Sequence, residues 1–337
     1  MRIAVDAMGG DYAPAEIVKG AVSGAREHVV GIILVGPEDR IKAELARCDT
    51  TGVDVQVVHT DEYLVEGEHP AYALRQKRRA SIAVATKLVR DGQAQAVLGA
   101  GPTGGVVASA LQILGTVEGF SRPAVGGPFL GFAPDTLLFD LGGNVDCRPD
   151  QLLDFAIVGT VYARKMRGIA NPTVALLSNG AEEGKGNEQV KASYPLFKKC
   201  GLNFIGNVEG YDIPYGKANV IICDGFVGNI MIKFCEAMGR TTARWLEDWL
   251  KDKLPESELK DMTDQLILAT NIADAMGGGP LLAVNGIACV SHGRSRAVEI
   301  ARAIGQAKMA VAKDLVGALK TELAAARSKL NMPEPMK

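Results

Sequence analysis

The chain repeats one unit along most of its length: a short run that is apolar throughout, a glycine-rich or polar turn, then a segment with helical spacing. IAVDAMGG leads into DYAPAEIVKGAVSGA, GIILVG into PEDRIKAELA, QAVLGAGPTGG into VVASALQIL, and TLLFDLGGN into a helix expected over 149–167. NVIICDGFVGN opens IMIKFCEAMG, and IACVSHGRS opens RAVEIARAIGQAKMAVAKDLVGAL, read as one amphipathic helix. Runs that are apolar at every position suit strands buried on both faces, and their alternation with helices calls for a parallel sheet covered on each side. The expected fold is α/β: three layers, α/β/α, around a mostly parallel, doubly wound sheet. At the first helix, Asp11 is a suitable cap and Pro14 a suitable first-turn residue.

With 337 residues, 47% of them hydrophobic, the chain can bury a large core in one or two domains. We read 1–330 as a single α/β domain, 240–276 as a helical hairpin within it, and 331–337 as a tail. A formal charge of −2 with nearly matched acids and bases offers no polybasic nucleic-acid surface and no acidic tail. The six cysteines are dispersed, with no CxxC and no neighbouring histidine pairs, so no metal site or disulfide framework is expected and a reducing cytoplasm fits. MRIAVDAMGG lacks the basic start and long apolar run of a signal peptide, and no window approaches 18 uninterrupted apolar residues, so any membrane contact is expected to be peripheral.

In doubly wound folds, ligands bind beyond the carboxyl ends of the strands, where helix N-termini present N–H groups. Six loops are expected there: DAMGGD with Gly9 and Gly10, GAGPTGG with Gly101, Thr103 and Gly104, DLGGNVD with Gly143 and Asn144, SNGAEEGKGNE with Lys185 and Glu188, CDGFVGN with Asp224, Gly228 and Asn229, and SHGRS with His292. Together they offer N–H donors, one lysine between glycines, asparagines and carboxylates, a set that suits an anion such as phosphate. Glycines after strands also make tight turns with no ligand. Six such loops on one expected edge favour a shared site.

Better-known motifs fit poorly. Gly99, Gly101 and Gly104 match G-x-G-x-x-G, but the motif falls in the third unit, contains Pro102, and has no strand-ending acid about 20 residues on. Around Lys185 the glycine spacing is one residue short of a phosphate loop, and Gly186 stands where a magnesium-binding hydroxyl is needed. G-x-S-x-G is absent. Cys147 sits near the expected site, though an isolated cysteine there more commonly packs; Cys223 and Cys289 read as core. The basic run Arg75, Lys77, Arg78, Arg79 is either a solvated helix face or a docking surface for an acidic partner. Trp245, Leu246, Trp249 and Leu250, then Leu259, Met262, Leu266 and Ala269 after Pro255, give the hairpin an apolar face suited to a dimer interface; its other face is acidic, unlike a lysine-rich lipid-binding helix.

Taken in order, DAMGGD, ALRQKRRASIAVA, GAGPTGG, DLGGNVDCRPDQLLDFA, EEGKGNE, FIGNVEG, CDGFVGN and GPLLAVNG with SHGRS resemble the bacterial phosphate acyltransferases, the PlsX family, over roughly residues 1–320. The chain departs from that pattern at Pro102, around Asn179-Gly180 and at Met276. The resemblance implies transfer of a long-chain acyl group from acyl carrier protein to inorganic phosphate, giving acyl phosphate for phospholipid synthesis, without a cofactor. It also implies a fold like phosphotransacetylases and isopropylmalate dehydrogenases, a homodimer, and peripheral membrane association through the hairpin. Lys185 and Asn229 match its catalytic lysine and asparagine. On this reading Lys185 and the glycine-turn amides hold phosphate and Asn229 donates to the developing oxyanion, with Glu188 and Asp224 orienting them or taking a proton. The rival readings are a nicotinamide-dependent dehydrogenase of related fold and a non-catalytic anion- or lipid-binding protein, and Lys185 itself has a rival as a salt-bridged structural lysine.

Overall fold

The computed structural model describes residues 1–65 and 67–330; the expected tail, 331–337, lies outside the described residues. In chain order the elements run β1 (Arg2–Asp6), α1 (Ala15–His28), β2 (Gly31–Gly36), α2 (Glu38–Leu45), β3 (Val55–His59), α3 (Pro70–Gln76), α4 (Ser81–Arg90), β4 (Ala96–Gly99) and α5 (Thr103–Ile113). They continue with β5 (Gly126–Pro128), β6 (Leu137–Phe139), α6 (Pro149–Arg167), β7 (Thr173–Leu177), α7 (Glu188–Lys199), β8 (Asn203–Val208), β9 (Val220–Ile222), α8 (Gly225–Leu250), α9 (Glu256–Thr270) and α10 (Ile272–Ala275). Last come β10 (Gly279–Leu281), β11 (Ile287–Val290), α11 (Ala297–Ala312) and α12 (Leu315–Leu330).

The described elements gather into two compact units, 1–123 with 276–320 and 124–275 with 321–330, where the sequence reading has a single 1–330 domain. The first unit holds a six-stranded sheet in the order β10-β11-β4-β1-β2-β3, parallel except for the β10–β11 pair. In the second, a five-stranded sheet runs β5-β6-β9-β7-β8, parallel except for β5–β6. The α/β class and mostly parallel pairing are as expected, but the strands are shared between two sheets. Alternation of strand and helix reports the layering and is silent on which strands pair.

The apolar runs behave as their composition requires: GIILVG is buried at every position, and so are Ile3 to Asp6 of β1. Helices cover the sheets at close range where glycine permits it. A Cβ at Gly20 of α1 would lie 2.6 Å from the Ala297 oxygen and from Ile300 Cβ of α11, and one at Gly24 would lie 2.9 Å from Ala301 Cα. In the second unit α6 spans the expected 149–167; it buries Phe155 and Tyr162 completely or nearly so, with Tyr162 edge-on to Phe139 at 6.1 Å. A helix buried on most sides has little room for a polar face, which is why LLDFAIVGTVYA reads as almost continuously apolar.

Three local expectations change. Asp11 does not cap α1: the helix starts at Ala15 behind Pro14, and the Asp11 backbone N–H instead donates to the Gly293 oxygen at 2.8 Å. The long C-terminal helix breaks at Asp314, which has φ 48° and whose carboxylate accepts from the Gly317 N–H at 3.2 Å, starting α12 afresh. The hairpin's first arm begins at Gly225, so α8 runs through 26 residues before Pro255 caps α9.

Candidate active site

Strands β6, β9 and β7 are parallel neighbours, so the loops leaving their carboxyl ends lie side by side. These are the turns carrying Gly143 and Asn144, then Asp224, Gly228 and Asn229, then Lys185 and Glu188. They are knitted together. Gly225 N–H donates to the Asn144 oxygen at 2.7 Å, and the Gln189 amide on the first turn of α7 donates to the Cys147 oxygen at 2.5 Å. Cys147 Sγ in turn donates to the Asn144 oxygen at 3.2 Å, which gives this cysteine a structural task.

Asp140, at the end of β6, organises the first of these turns. Its carboxylate accepts from Gly143 N–H at 2.9 Å and from Asn144 Nδ2 at 2.7 Å, and the side chain is fully buried. Burial pushes the Asp140 carboxyl up from its ordinary value, and hydrogen bonds from Asn144, Gly143 and Val125 pull the other way. The Gly143 amide expected to meet an anion is therefore already engaged, by a carboxylate of the protein. Asn144 is likewise a buried member of this network.

Asn229 stands at the opening of α8, exposed, and its side chain faces Gly142: a Cβ at Gly142 would lie 3.3 Å from Asn229 Cβ and 3.4 Å from its Cγ. Gly142 also has φ 117°, so glycine is required there twice over. Gly228 is packed as tightly, because a Cβ on it would overlap the Asp140 carbonyl oxygen. Asp224 does not touch Asn229 among the contacts of the described residues; it caps α8, accepting from Val227 N–H at 2.8 Å.

The lysine loop is pinned from three sides. Gly186 N–H donates to Asn179 Oδ1 at 2.9 Å, Asn207 Nδ2 donates to the Glu182 oxygen at 2.9 Å, and Lys198 pairs with Glu183 at 3.2 Å. Gly186 has φ 103°, and a Cβ at Gly180 would lie 2.7 Å from Lys185 Cγ, so the glycines permit the turn and clear the lysine stem. Lys185 itself is exposed and has no ion-pair partner among the described residues, which removes the salt-bridged structural lysine. Glu188 does not orient it either. Glu188 is the first residue of α7, behind the cap formed by Asn187, whose Oδ1 accepts from Val190 N–H at 2.9 Å. The backbone N–H groups of Glu188 and Gln189 have no protein acceptor among the described residues, as expected of a helix's first turn.

The other three loops belong to the first unit, where they meet around β1, β4 and β11. A Cβ at Gly9 would lie 2.7 Å from Gly101 N and 2.8 Å from Asp6 Oδ2, and one at Gly10 would lie 3.2 Å from the Ala100 and Gly293 oxygens. Thr103 and Gly104 form the exposed start of α5, and His292 is half-buried beside Gly293. Asp6 closes β1 as Asp140 closes β6. It accepts from Met8 N–H at 3.1 Å, and burial raises its carboxyl from the ordinary value. Neither aspartate is among the sequence-predicted site residues, yet a pattern marks both: Asp-Ala-Met-Gly-Gly and Asp-Leu-Gly-Gly each follow an apolar strand. Cys223 and Cys289 are core, as expected; burial lifts the Cys223 thiol well above its usual range and Cys289 to about 12, so neither supplies a thiolate.

Comparison with known proteins shows the family. The family described as "Fatty acid synthesis protein" matches residues 1–317. A phosphate acyltransferase of Pelotomaculum thermopropionicum is 44% identical over 331 residues, covering 96% of this chain and 95% of that protein. One from Moorella thermoacetica is 45% identical over 323 residues, covering 95% of each. The chain belongs to the phosphate acyltransferase family. Among solved structures, a phosphotransacetylase from Streptococcus pyogenes shares the fold of this family member, with a TM-score of 0.60 at 19% identity over 95% of this chain and 94% of that one. A structure described as a putative 4-hydroxythreonine-4-phosphate dehydrogenase from Salmonella typhimurium is similar at a TM-score of 0.52 and 12% identity, covering 91% of this chain and 98% of that one; likeness at that level concerns fold alone. Family membership sets aside the dehydrogenase and the non-catalytic binder as readings of this chain.

Proposed function

We propose that the protein moves a long-chain acyl group from the thioester of acyl carrier protein to inorganic phosphate, supplying acyl phosphate for phospholipid synthesis. The observation that carries this reading is the pair Lys185 and Asn229: one cationic and one neutral donor, both exposed, on loops leaving the neighbouring strands β7 and β9. Phosphate is partly dianionic near neutral pH and attacks a thioester without a protein nucleophile if held in line with the carbonyl. In this scheme the Lys185 ammonium and the first-turn amides of α7 hold phosphate, replacing the Gly143 amide that Asp140 already occupies. A phosphate oxygen forms the new C–O bond, Asn229 donates to the carbonyl oxygen as it gains charge, and the C–S bond breaks to release the carrier thiolate. The proton of any monoanionic phosphate passes to that thiolate or to solvent. An oxyanion donor of this kind is worth about 10²–10³ in rate.

The same reading assigns the outer face of α8 to a second copy of the chain, with peripheral contact to lipid at a cytoplasmic membrane surface as a further use. Phe226, Ile230, Phe234, Met238, Trp245 and Trp249 recur at four- and seven-residue steps, and Phe234 and Trp245 are 62% and 57% exposed. Such a stripe on one helix marks an interaction face. No helix of the described residues is long and apolar enough to cross a membrane.

The test mixes protein, acyl-carrier thioester and phosphate, then traps acyl phosphate with hydroxylamine. Phosphate-dependent hydroxamate is expected. Release of carrier thiol without hydroxamate would overturn the reading.

A further inference from the structure

Four basic residues follow one another closely in 75–79, and the fold treats them unequally. Lys77 is spent internally: its ammonium donates to both Glu68 carboxylate oxygens at 2.7 and 2.8 Å and to the Tyr63 oxygen at 3.1 Å. Arg75, Arg78 and Arg79 are exposed, and none of their guanidinium groups has an ion-pair partner among the described residues.

The backbone beneath them is fixed. The turn joining α3 to α4 is held by Thr60 Oγ1 donating to the Arg79 oxygen, Arg79 N–H donating to Glu62 Oε2 at 2.9 Å, and Lys87 Nζ donating to the Arg78 oxygen at 2.9 Å. Ala80 N–H closes on the Lys77 oxygen at 3.0 Å and Ser81 N–H on the Glu62 oxygen at 2.8 Å. A merely solvated basic run has no need of five backbone anchors. Three like charges carried on one anchored stretch of backbone raise the local positive potential, which favours an anionic partner.

Position and composition narrow the partner. Pro70, the first residue of α3, packs on the opening of α5: a Cβ at Gly104 would lie 3.0 Å from Pro70 Cγ. This seats the start of α3, whose last turn carries Arg75, against the loop carrying Gly101, Thr103 and Gly104. Tyr72, 62% exposed, lies three residues before Arg75 on the same helix. Arginine with tyrosine, and lysine withdrawn, is the composition of protein-recognition surfaces, whereas binding to an anionic bilayer favours lysine with apolar anchors.

We infer that Arg75, Arg78 and Arg79, with Tyr72, form a docking surface for the acidic protein that carries the acyl thioester. This rests on the proposed carrier-dependent reaction, and the experiment separates the two. The variant Arg75→Glu/Arg78→Glu/Arg79→Glu is compared with wild type using carrier-borne acyl thioester and a small acyl thioester of N-acetylcysteamine. At low salt, kcat/KM for the carrier-borne donor is expected to fall about 10–100-fold through KM, the scale of electrostatic steering. The small donor should change by less than about twofold, and the steep salt dependence of the carrier reaction should flatten. An Arg→Lys triple variant should retain most of the carrier preference.

Direct binding of fluorophore-labelled carrier reads docking without turnover. If wild type forms no acyl phosphate from either donor, the reaction assignment fails while this measurement still decides the docking. Equal loss with both donors, or unchanged carrier affinity in the reversed variant, overturns the inference. So does a reversed variant that keeps carrier binding but no longer binds phosphatidylglycerol vesicles, which would make the occupant a membrane.

Discussion

Gly228→Ala tests whether the first turn of α8 is held where Asn229 can act. The added methyl would overlap the Asp140 carbonyl oxygen, and it would lie 2.9 Å from the carbonyl carbon and 3.2 Å from Cys223 Sγ. Two of these neighbours are backbone at a strand end and the third is a buried thiol, so the strain is relieved only if the turn moves. Overpacking of this kind costs about 1–3 kcal/mol. Alanine's helix propensity returns up to about 1 kcal/mol, which leaves a net loss of roughly 1–2 kcal/mol. For a unit of this size that lowers Tm by roughly 2–8 °C. The larger effect falls on the next residue: displacing Asn229 by about 1 Å costs about 100-fold in rate. Hydroxylamine trapping and thermal melting measure both. Gly184→Ala is the control, since nothing lies within 4 Å of its added methyl; it should leave Tm unchanged. A Gly228→Ala protein with wild-type Tm and rate would refute the claim that Asp140 backs Asn229.

Other perturbations separate charge, titration and surface. Lys185→Ala should cut kcat/KM for phosphate about 100-fold while moving stability by no more than about 0.5 kcal/mol, because its exposed ammonium pairs with nothing among the described residues; phosphate titrations and melting curves check the pair of outcomes. Asp140→Asn should flatten a pH dependence. Burial raises the folded-state Asp140 carboxyl above 3.8, so its contribution is fully present below that pH and is lost as pH rises through the raised value; urea midpoints of wild type minus variant should fall across that window and level off above it, and a pH-independent difference would contradict the assignment. Trp245→Ser with Trp249→Ser removes two rings stacked at 5.3 Å on the exposed face of α8; sedimentation should show a smaller assembly, and flotation weaker retention on anionic vesicles, with folding intact.

Much of the fold can be read from local pattern, and the exceptions have one cause. GIILVG is a buried strand because every residue is apolar, and α6 ends where expected because Pro149 can open a helix and Gly168, with φ 76°, can close it. Lys185 stands out because it is the one cation of its turn and lies between two glycines, and Asn229 because it follows Gly228 in a short glycine-bearing turn after an apolar strand. What local pattern misses depends on partners distant in sequence. Asp314 reads as one more polar residue on a helix face until its left-handed φ breaks the helix. Glu188 and Asp224 look like acids that could steer a lysine or an amide, and they turn out to open and cap helices. The division into two sheets depends on β4 pairing with β1 and β11 rather than with β6, which no window of sequence displays.

The two side chains proposed as donors are held by different means. Lys185 rides on a loop pinned by Asn179, Asn207 and Lys198, all within its own unit, so its position depends on hydrogen bonds already made. Asn229 depends on a helix. It sits between Phe226 and Ile230, the first two members of the exposed stripe that ends at Trp249. One helix of 26 residues, about 39 Å long, thus joins Asn229, the proposed oxyanion donor, to the surface proposed for a partner. Its inner contacts are close, as Gly228 on Asp140 and Gly239 on Thr270 show, so α8 cannot rotate freely to hide the stripe. Covering the stripe then restrains Asn229 and leaves Lys185 untouched. Phosphate affinity should accordingly be insensitive to assembly, while the rate of the acyl transfer step should follow it.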